Sequence, residues 1–368
     1  MNNKKGFISM ALVYSFFIIF LFIMISIIRT YSNKNSFLEA IEQEIDKDIN
    51  SAASSVSTLK NKLFEDNTAQ DSKMILENNG HGSGLFYTED LNIIGDKNKR
   101  IYFFRGNVDN NNIVYGKENG TYMCWKIVRT DTDDYARLIY AGKATGSVTS
   151  LSCNSTTVTI KNSKYNENNN NIAYVGYVYG NPDGSTNDEK FYGIKNGVES
   201  ETISSSTIKR ELEQWFYDNT DLRNRTKIKN APFCNNKKEI SSGVFGNNKY
   251  SLECNEKDKL MLFGTLGKRS YVSLSYQVGL ITTPEVQLAN DEKINSYLSG
   301  PVSWTMSPSE FIDSKAKVST FNGISINSAE VTSENGIRPV IAIDVNTNVT
   351  AGTGHSNNPY ILEDDLKS

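Results

Sequence analysis

Four cysteines, two histidines and a few short acidic runs are the chemistry-bearing residues of this 368-residue chain. Cys124, Cys153, Cys234 and Cys254 show none of the C-x-x-C pairing of a zinc site, and only His81 and His355 could add imidazole, so a tetrahedral metal cage is not indicated. Disulfide chemistry suits the spacing better, and loop closure favours Cys124 with Cys153 and Cys234 with Cys254. The alternative is four buried thiols in a reducing cytosol. Gly80-His81-Gly82-Ser83-Gly84 has the composition of a nucleophile elbow, but that turn requires G-x-S-x-G, so the segment reads as a flexible turn. Asp131-Thr132-Asp133-Asp134 and Asp183-Gly184-Ser185-Thr186-Asn187-Asp188 offer oxygens to calcium without the spacing of an EF-hand loop, and read as solvated turns. Nothing selects a carboxylate pair for glycoside hydrolysis. The inventory implies no catalytic residue, no cofactor and no metal.

Charge and composition narrow the partners. A formal net charge of −3 and a pI near 5.7 provide no basic field for phosphate backbones, which argues against nucleic acid. Tyrosine is abundant at 19 residues, and amide side chains are frequent beside it, a combination that makes adaptable binding faces. "NNNNIAYVGYVYGN" (168–181) and "SYVSLSYQ" (270–277) nominate Tyr174, Tyr177, Tyr179, Tyr271 and Tyr276 as a face for a glycan or protein ligand. Strand alternation would turn about half of these rings inward.

The elements that must carry these residues begin with an uncharged run from Gly6 to Ile28, whose length predicts a transmembrane helix in contact with the lipid bilayer over residues 6–28. No small-residue cleavage site follows it, and Lys4 and Lys5 precede it, which favours a cytoplasmic N-terminus with the rest extracellular. Leu38, Ile41, Ile45, Ile49, Ala52, Val56, Leu59 and Leu63 then recur at helical spacing. That stripe predicts an amphipathic stalk helix over 31–66, which either self-associates or folds back on its own head. Residues 67–83 read as a linker. From residue 84 to 368 short β-rich runs alternate with Asn/Gly/Asp turns, and one clear helix has Ile208, Leu212, Trp215 and Phe216 on one face, capped by Ser205 or Ser206. The predicted class is α+β: a transmembrane anchor over 1–30, a stalk, a linker, and a mainly antiparallel β head with a few helices.

Two resemblances add to this reading. Trp304-Thr305-Met306-Ser307-Pro308 and Gly336-Ile337-Arg338-Pro339, within "VSWTMSPSEF" and "ENGIRPVIAID", resemble motifs of a family of uncharacterised bacterial surface proteins. The heads of that family resemble the C-type-lectin-like fold of formylglycine-generating enzymes. The resemblance covers about residues 100–362 and implies that Trp304, Ser307, Pro308, Gly336, Arg338 and Pro339 lie on neighbouring strands. Arg338 then reads as a structural cation pinned to loop carbonyls or a carboxylate, and Pro339 as a stop before the last strand. The glutamate-proline-asparagine and tryptophan-asparagine-aspartate signatures of calcium-dependent lectins are missing, and Cys234 and Cys254 do not match the catalytic cysteines of the enzymes. Lys4-Lys5-Gly6-Phe7 ahead of the apolar run is similar to type IV prepilins, which implies cleavage after Gly6 and methylation of Phe7; Ala11 stands where prepilins usually carry glutamate.

Three classes of function follow. The first is a membrane-anchored, non-catalytic binding or adhesion protein of the bacterial cell envelope. The second is a pilin-like subunit processed after Gly6 and assembled through its N-terminal helix. The third, an extracellular enzyme, lacks any active-site constellation in the sequence.

Overall fold

A computed structural model describes residues 16–25, 57–77, 81–94, 99–132, 134–167, 194–195, 198–199, 206–231, 233–234, 237–239, 250–254, 262–263, 276–291, 296–312 and 315–363. The chain divides into two compact units, Met1–Val56 and Ser57–Ser368, each described by itself.

In the first unit residues 16–25 form a helix, α1, with every residue exposed. Ten residues at 1.5 Å per residue reach about 15 Å, half of a hydrocarbon core of about 30 Å. Among the described residues no helix is long and apolar enough to cross a membrane. The single-pass anchor over 6–28 is thereby corrected, and with it the localisation of a cytoplasmic N-terminus and extracellular head. Gly6 and Phe7 lie outside the described residues.

The second unit opens with β1 (Ser57–Thr58), α2 (Leu59–Glu65), β2 (Gln70–Asp71), α3 (Lys73–Glu77), β3 (Gly84–Thr88), α4 (Leu91–Ile94), β4 (Ile101–Arg105), β5 (Asn112–Glu118), β6 (Thr121–Thr130) and β7 (Tyr135–Lys143). It continues through β8 (Lys161–Lys164), β9 (Ile194–Lys195), β10 (Val198–Glu199), α5 (Thr207–Asp218), α6 (Thr220–Arg223), β11 (Phe233–Cys234), β12 (Lys237–Glu239), β13 (Tyr250–Cys254), β14 (Leu262–Phe263) and α7 (Thr283–Ala289). The last elements are β15 (Ser303–Ile312), β16 (Lys315–Phe321), β17 (Ile326–Glu330), β18 (Glu334–Ile337), β19 (Val340–Asp344), β20 (Asn348–Ala351) and β21 (Tyr360–Leu362).

Two sheets dominate. The larger runs β1-β20-β21-β5-β6-β4-β3-β2, with β7 pairing β6 and β19 pairing β7; the smaller runs β17-β16-β15-β18-β8. Most pairs are antiparallel, and β2·β3, β21·β5 and β15·β18 are parallel. β7 is buried along nearly its whole length, and β6 is buried on both sides over Met123–Trp125 and Ile127–Arg129. Continuous burial of this kind means that both faces of the central strands are covered, so the alternation of a half-solvated strand does not hold there. The two sheets share one core with α5: Trp125, Ile127 and Leu138 meet Trp304, Met306, Phe321, Ile208, Leu212 and Phe216. Ser206 caps α5 by accepting from Lys209 N at 3.3 Å, and Trp215 is drawn to the surface by donating to Glu118 Oε1 at 2.7 Å.

The predicted stalk is corrected over its described part. Ser57 and Thr58 are strand β1, paired with β20, and α2 buries Leu59 and Leu63 in the head's own core. Leu59 N and Lys60 N donate to Thr347 O and Val345 O at 2.8 and 2.9 Å, which fixes the helix start on the turn after β19. Of the two readings of the apolar stripe, folding back on the head holds here, and the predicted linker carries β2 and α3. The α+β arrangement of anchor, stalk and lectin-like head therefore gives way to a mostly β structure of two sheets with short helices. Cys124 and Cys153 form a disulfide that ties β6 to the segment after β7, with Cα atoms 5.6 Å apart. Cys234 lies on β11 and Cys254 on β13, and their side chains are outside the described residues.

Candidate functional site

Where α2 lies across the end of the large sheet it leaves a cleft with a cavity of about 130 Å³. The floor is apolar: Leu59 and Leu63 from α2 face Ile127 of β6, Ala136 of β7 and Val345. The cleft exists because α2 uses Leu59 and Leu63 as its buried stripe, one turn apart, while Phe64, the next residue, is carried to the rim and remains 37% exposed.

An aromatic ladder extends from that rim. The Phe64 ring meets Tyr102 edge-on with centroids 4.6 Å apart, Tyr102 lies 6.1 Å from Tyr87, and the Arg100 guanidinium sits 4.0 Å over the Tyr87 ring. Register explains the row, because Tyr87 of β3 and Tyr102 of β4 are direct cross-strand partners. Arg100 is held by Glu89, to which its Nε donates at 2.8 Å. Lys60 and Asp134 face each other at 3.5 Å across the opening.

Beneath the cleft lies a buried charge network. Asp131, which lines the cleft, accepts from Arg129 Nη1 at 2.6 Å and from Thr132 N at 2.7 Å. Arg129 Nε donates to Glu285 Oε1 at 2.9 Å, and Arg137 Nε lies 3.4 Å from the same oxygen. Glu285 enters from α7, where it forms a capping box with Thr282: its Oε2 accepts from Thr282 N at 2.9 Å and Thr282 Oγ1 at 2.8 Å. Two guanidiniums thus face two carboxylates, which keeps the network close to neutral. Burial pushes the Asp131 carboxyl up, but the charges of Arg129 and Arg137 outweigh it and hold the group well below the usual carboxylate range. Burial likewise pushes the Tyr135 hydroxyl up to about 12. The cleft therefore ends on a carboxylate that stays ionised, oriented by hydrogen bonds that leave it little freedom to turn.

The residues singled out from sequence fall elsewhere or have other duties. Tyr276 packs its ring against Phe216 and Tyr217 at 5.8 and 5.9 Å, against the core cluster; Tyr174, Tyr177, Tyr179 and Tyr271 lie outside the described residues. Trp304 is buried and donates to Ser163 O at 2.8 Å, joining β15 to β8. Ser307 Oγ accepts from Thr283 N at 2.9 Å and so holds the start of α7. Ser303 and Gly336 are register partners across the parallel β15·β18 pair, which brings the tryptophan and arginine motifs together, with Pro308 on β15. Arg338 is buried, donating to Tyr140 O at 3.2 Å and Leu298 O at 2.7 Å. Pro339 stands between β18 and β19, its carbonyl accepting from Tyr140 N at 2.8 Å.

Sequence reasoning missed two features. Asp131 reads as a solvated turn residue and is instead clamped by Arg129, a contact that no local spacing announces. The glycine-rich segment from His81 is also anchored rather than free. His81 Nδ1 lies 2.7 Å from Oδ1 of buried Asp291, Gly82 N donates to Asp291 Oδ2 at 2.8 Å, and Ser83 Oγ accepts from Asn107 N at 3.0 Å. Gly106 has φ +72° there, and a Cβ on it would collide with Ser83 Oγ. Compared with family models, curated proteins and solved structures, the chain finds no match.

Proposed function

We propose that the head is a non-catalytic binding module, and that it takes its ligand in the cleft between α2 and the end of the large sheet. The observation that carries this reading is the cleft itself: an apolar floor, an aromatic rim and a fixed carboxylate at its end. Ligand sites of this kind combine apolar burial with a few oriented polar groups. Aromatic rings on a rigid sheet supply contact area at low entropic cost. The charge network supports binding over chemistry, because Asp131 is held by Arg129 Nη1, Thr132 N and Thr132 Oγ1 and kept ionised beside two guanidiniums, an arrangement that offers an oriented acceptor.

A ligand for this cleft has an apolar body that sits on Phe64 and Tyr102 and a hydrogen-bond donor that reaches Asp131. Screening the full chain against glycan and short-peptide arrays tests the proposal. Binders found this way should lose about tenfold or more in affinity with Phe64→Ala, corresponding to about 1.4 kcal/mol, and should be unaffected by Val148→Ala, an exposed apolar site in another part of the head. Binders indifferent to Phe64 would move the site elsewhere, and turnover of a bound compound would contradict the non-catalytic reading.

A further inference from the structure

Three hydrogen-bond donors, on Arg338, Tyr297 and Lys126, have no hydrogen-bond partner among the described residues. Arg338 uses Nε and Nη1 on the carbonyls of Tyr140 and Leu298, but Nη2 is buried and has no partner among the described residues. Tyr297, next to Leu298 in the chain, is 5% exposed, and its hydroxyl is likewise buried and unpartnered. Lys126, half-buried on β6, brings its Nζ to 6.0 Å from the Tyr297 ring centre and forms no hydrogen bond or ion pair with a described residue.

The charges do not balance. Arg338 and Lys126 are close enough to oppose one another's charge, and neither pairs with a described carboxylate. Asp109 is the acidic side chain that favours the Lys126 charge, yet it is more than half exposed and engaged with Ser356 N at 3.3 Å and His355 at 3.6 Å. Asn112, the register partner of Lys126 on β5, adds a buried side-chain carbonyl without a partner, which is one dipole against two full charges. Burial and then the Arg338 charge push the Lys126 amine down to about 8, and burial pushes Arg338 down to about 10. Buried cations are ordinarily paired, because removing an ion from water without a counter-charge is strongly unfavourable. The cluster shares no residue with the cleft.

We infer that a small anion, chloride or a carboxylate, binds among Lys126 Nζ, Tyr297 Oη and Arg338 Nη2 and neutralises the buried Arg338 and half-buried Lys126. It would accept from all three donors and join β6, the turn before β15 and the segment between β18 and β19, so binding and folding of the head are linked.

The test is an anion titration of the full chain, starting in sodium gluconate and exchanging to chloride or acetate at constant ionic strength, with thermal unfolding as one readout and chloride-35 line broadening as the other. The midpoint of unfolding should rise saturably with one of the two anions, and the anion that saturates at lower concentration identifies the class. Lys126→Met, which removes one of the competing charges and keeps the chain length, should fold in gluconate and require at least tenfold more anion, whereas Lys126→Arg should retain the response. A midpoint that follows ionic strength alone, or a Lys126→Met variant that titrates like the wild type, would overturn the inference and leave ordered water as the partner of these donors.

Discussion

Glu285 does two jobs with one carboxylate, capping α7 through Thr282 and neutralising Arg129 beside Arg137. Removing its charge leaves two buried guanidiniums facing Asp131 alone. Glu285→Gln should therefore lower the free energy of urea unfolding by about 3–5 kcal/mol, the range for breaking one partner out of a buried pair. Asp131 adds a pH signature. Its native carboxyl lies below its unfolded value of 3.8, so its stabilisation is complete above that pH and is lost as pH falls toward the native value. Wild-type stability should accordingly fall more steeply below about pH 4 than that of Asp131→Asn. A parallel decline in both would place the acid sensitivity elsewhere. None of these pairings was legible beforehand. Residue types carry donors and acceptors, but Arg129 and Glu285 meet only because α7 lands against β6.

At the scale of elements, the Cys124–Cys153 bridge closes a loop with a sequence separation of 29, and chain entropy gives such a loop about 3.5 kcal/mol. Cys153→Ser should lower unfolding stability by about 2–4 kcal/mol, measured against wild type kept oxidised; an unchanged midpoint would show that the hydrogen bonds of the Cys153 segment, such as Cys153 N to Ser356 O at 2.6 Å, suffice. This bridge and the Ser206 cap were readable in the sequence because each depends on residues near one another in the chain. The helix at Leu59–Glu65 shows the opposite case. Leu59 and Leu63 announce an apolar face by their spacing, and the spacing says nothing about what covers it. A stalk partner and the head's own sheet satisfy the same periodicity, and only the bonds to Val345 O and Thr347 O, from a segment far along the chain, decide between them. The apolar N-terminal run differs for a related reason: composition sets what a helix could do, while among the described residues no helix is long and apolar enough to cross a membrane.

For the molecule as a whole, the cleft was the least legible feature, because its walls come from α2, β4, β6, β7 and the turn after β19, which no local pattern brings together. The tyrosines nominated from composition reflect the general chemistry of binding faces, but Tyr276 serves packing while Tyr102, which no motif marked, stands at the rim. The two-sheet core explains why the cleft can be rigid: its floor residues Ile127 and Ala136 belong to the same core that holds Trp125 and Trp304. Hydrogen–deuterium exchange of the full chain, with and without a binder from the array screen, tests the central claim most directly. Binding at the cleft predicts slowed exchange in Leu59–Glu65 and in the turn joining β6 to β7, with the five-stranded sheet unchanged. Protection confined to β15–β17, with α2 exchanging as in the free protein, would contradict it.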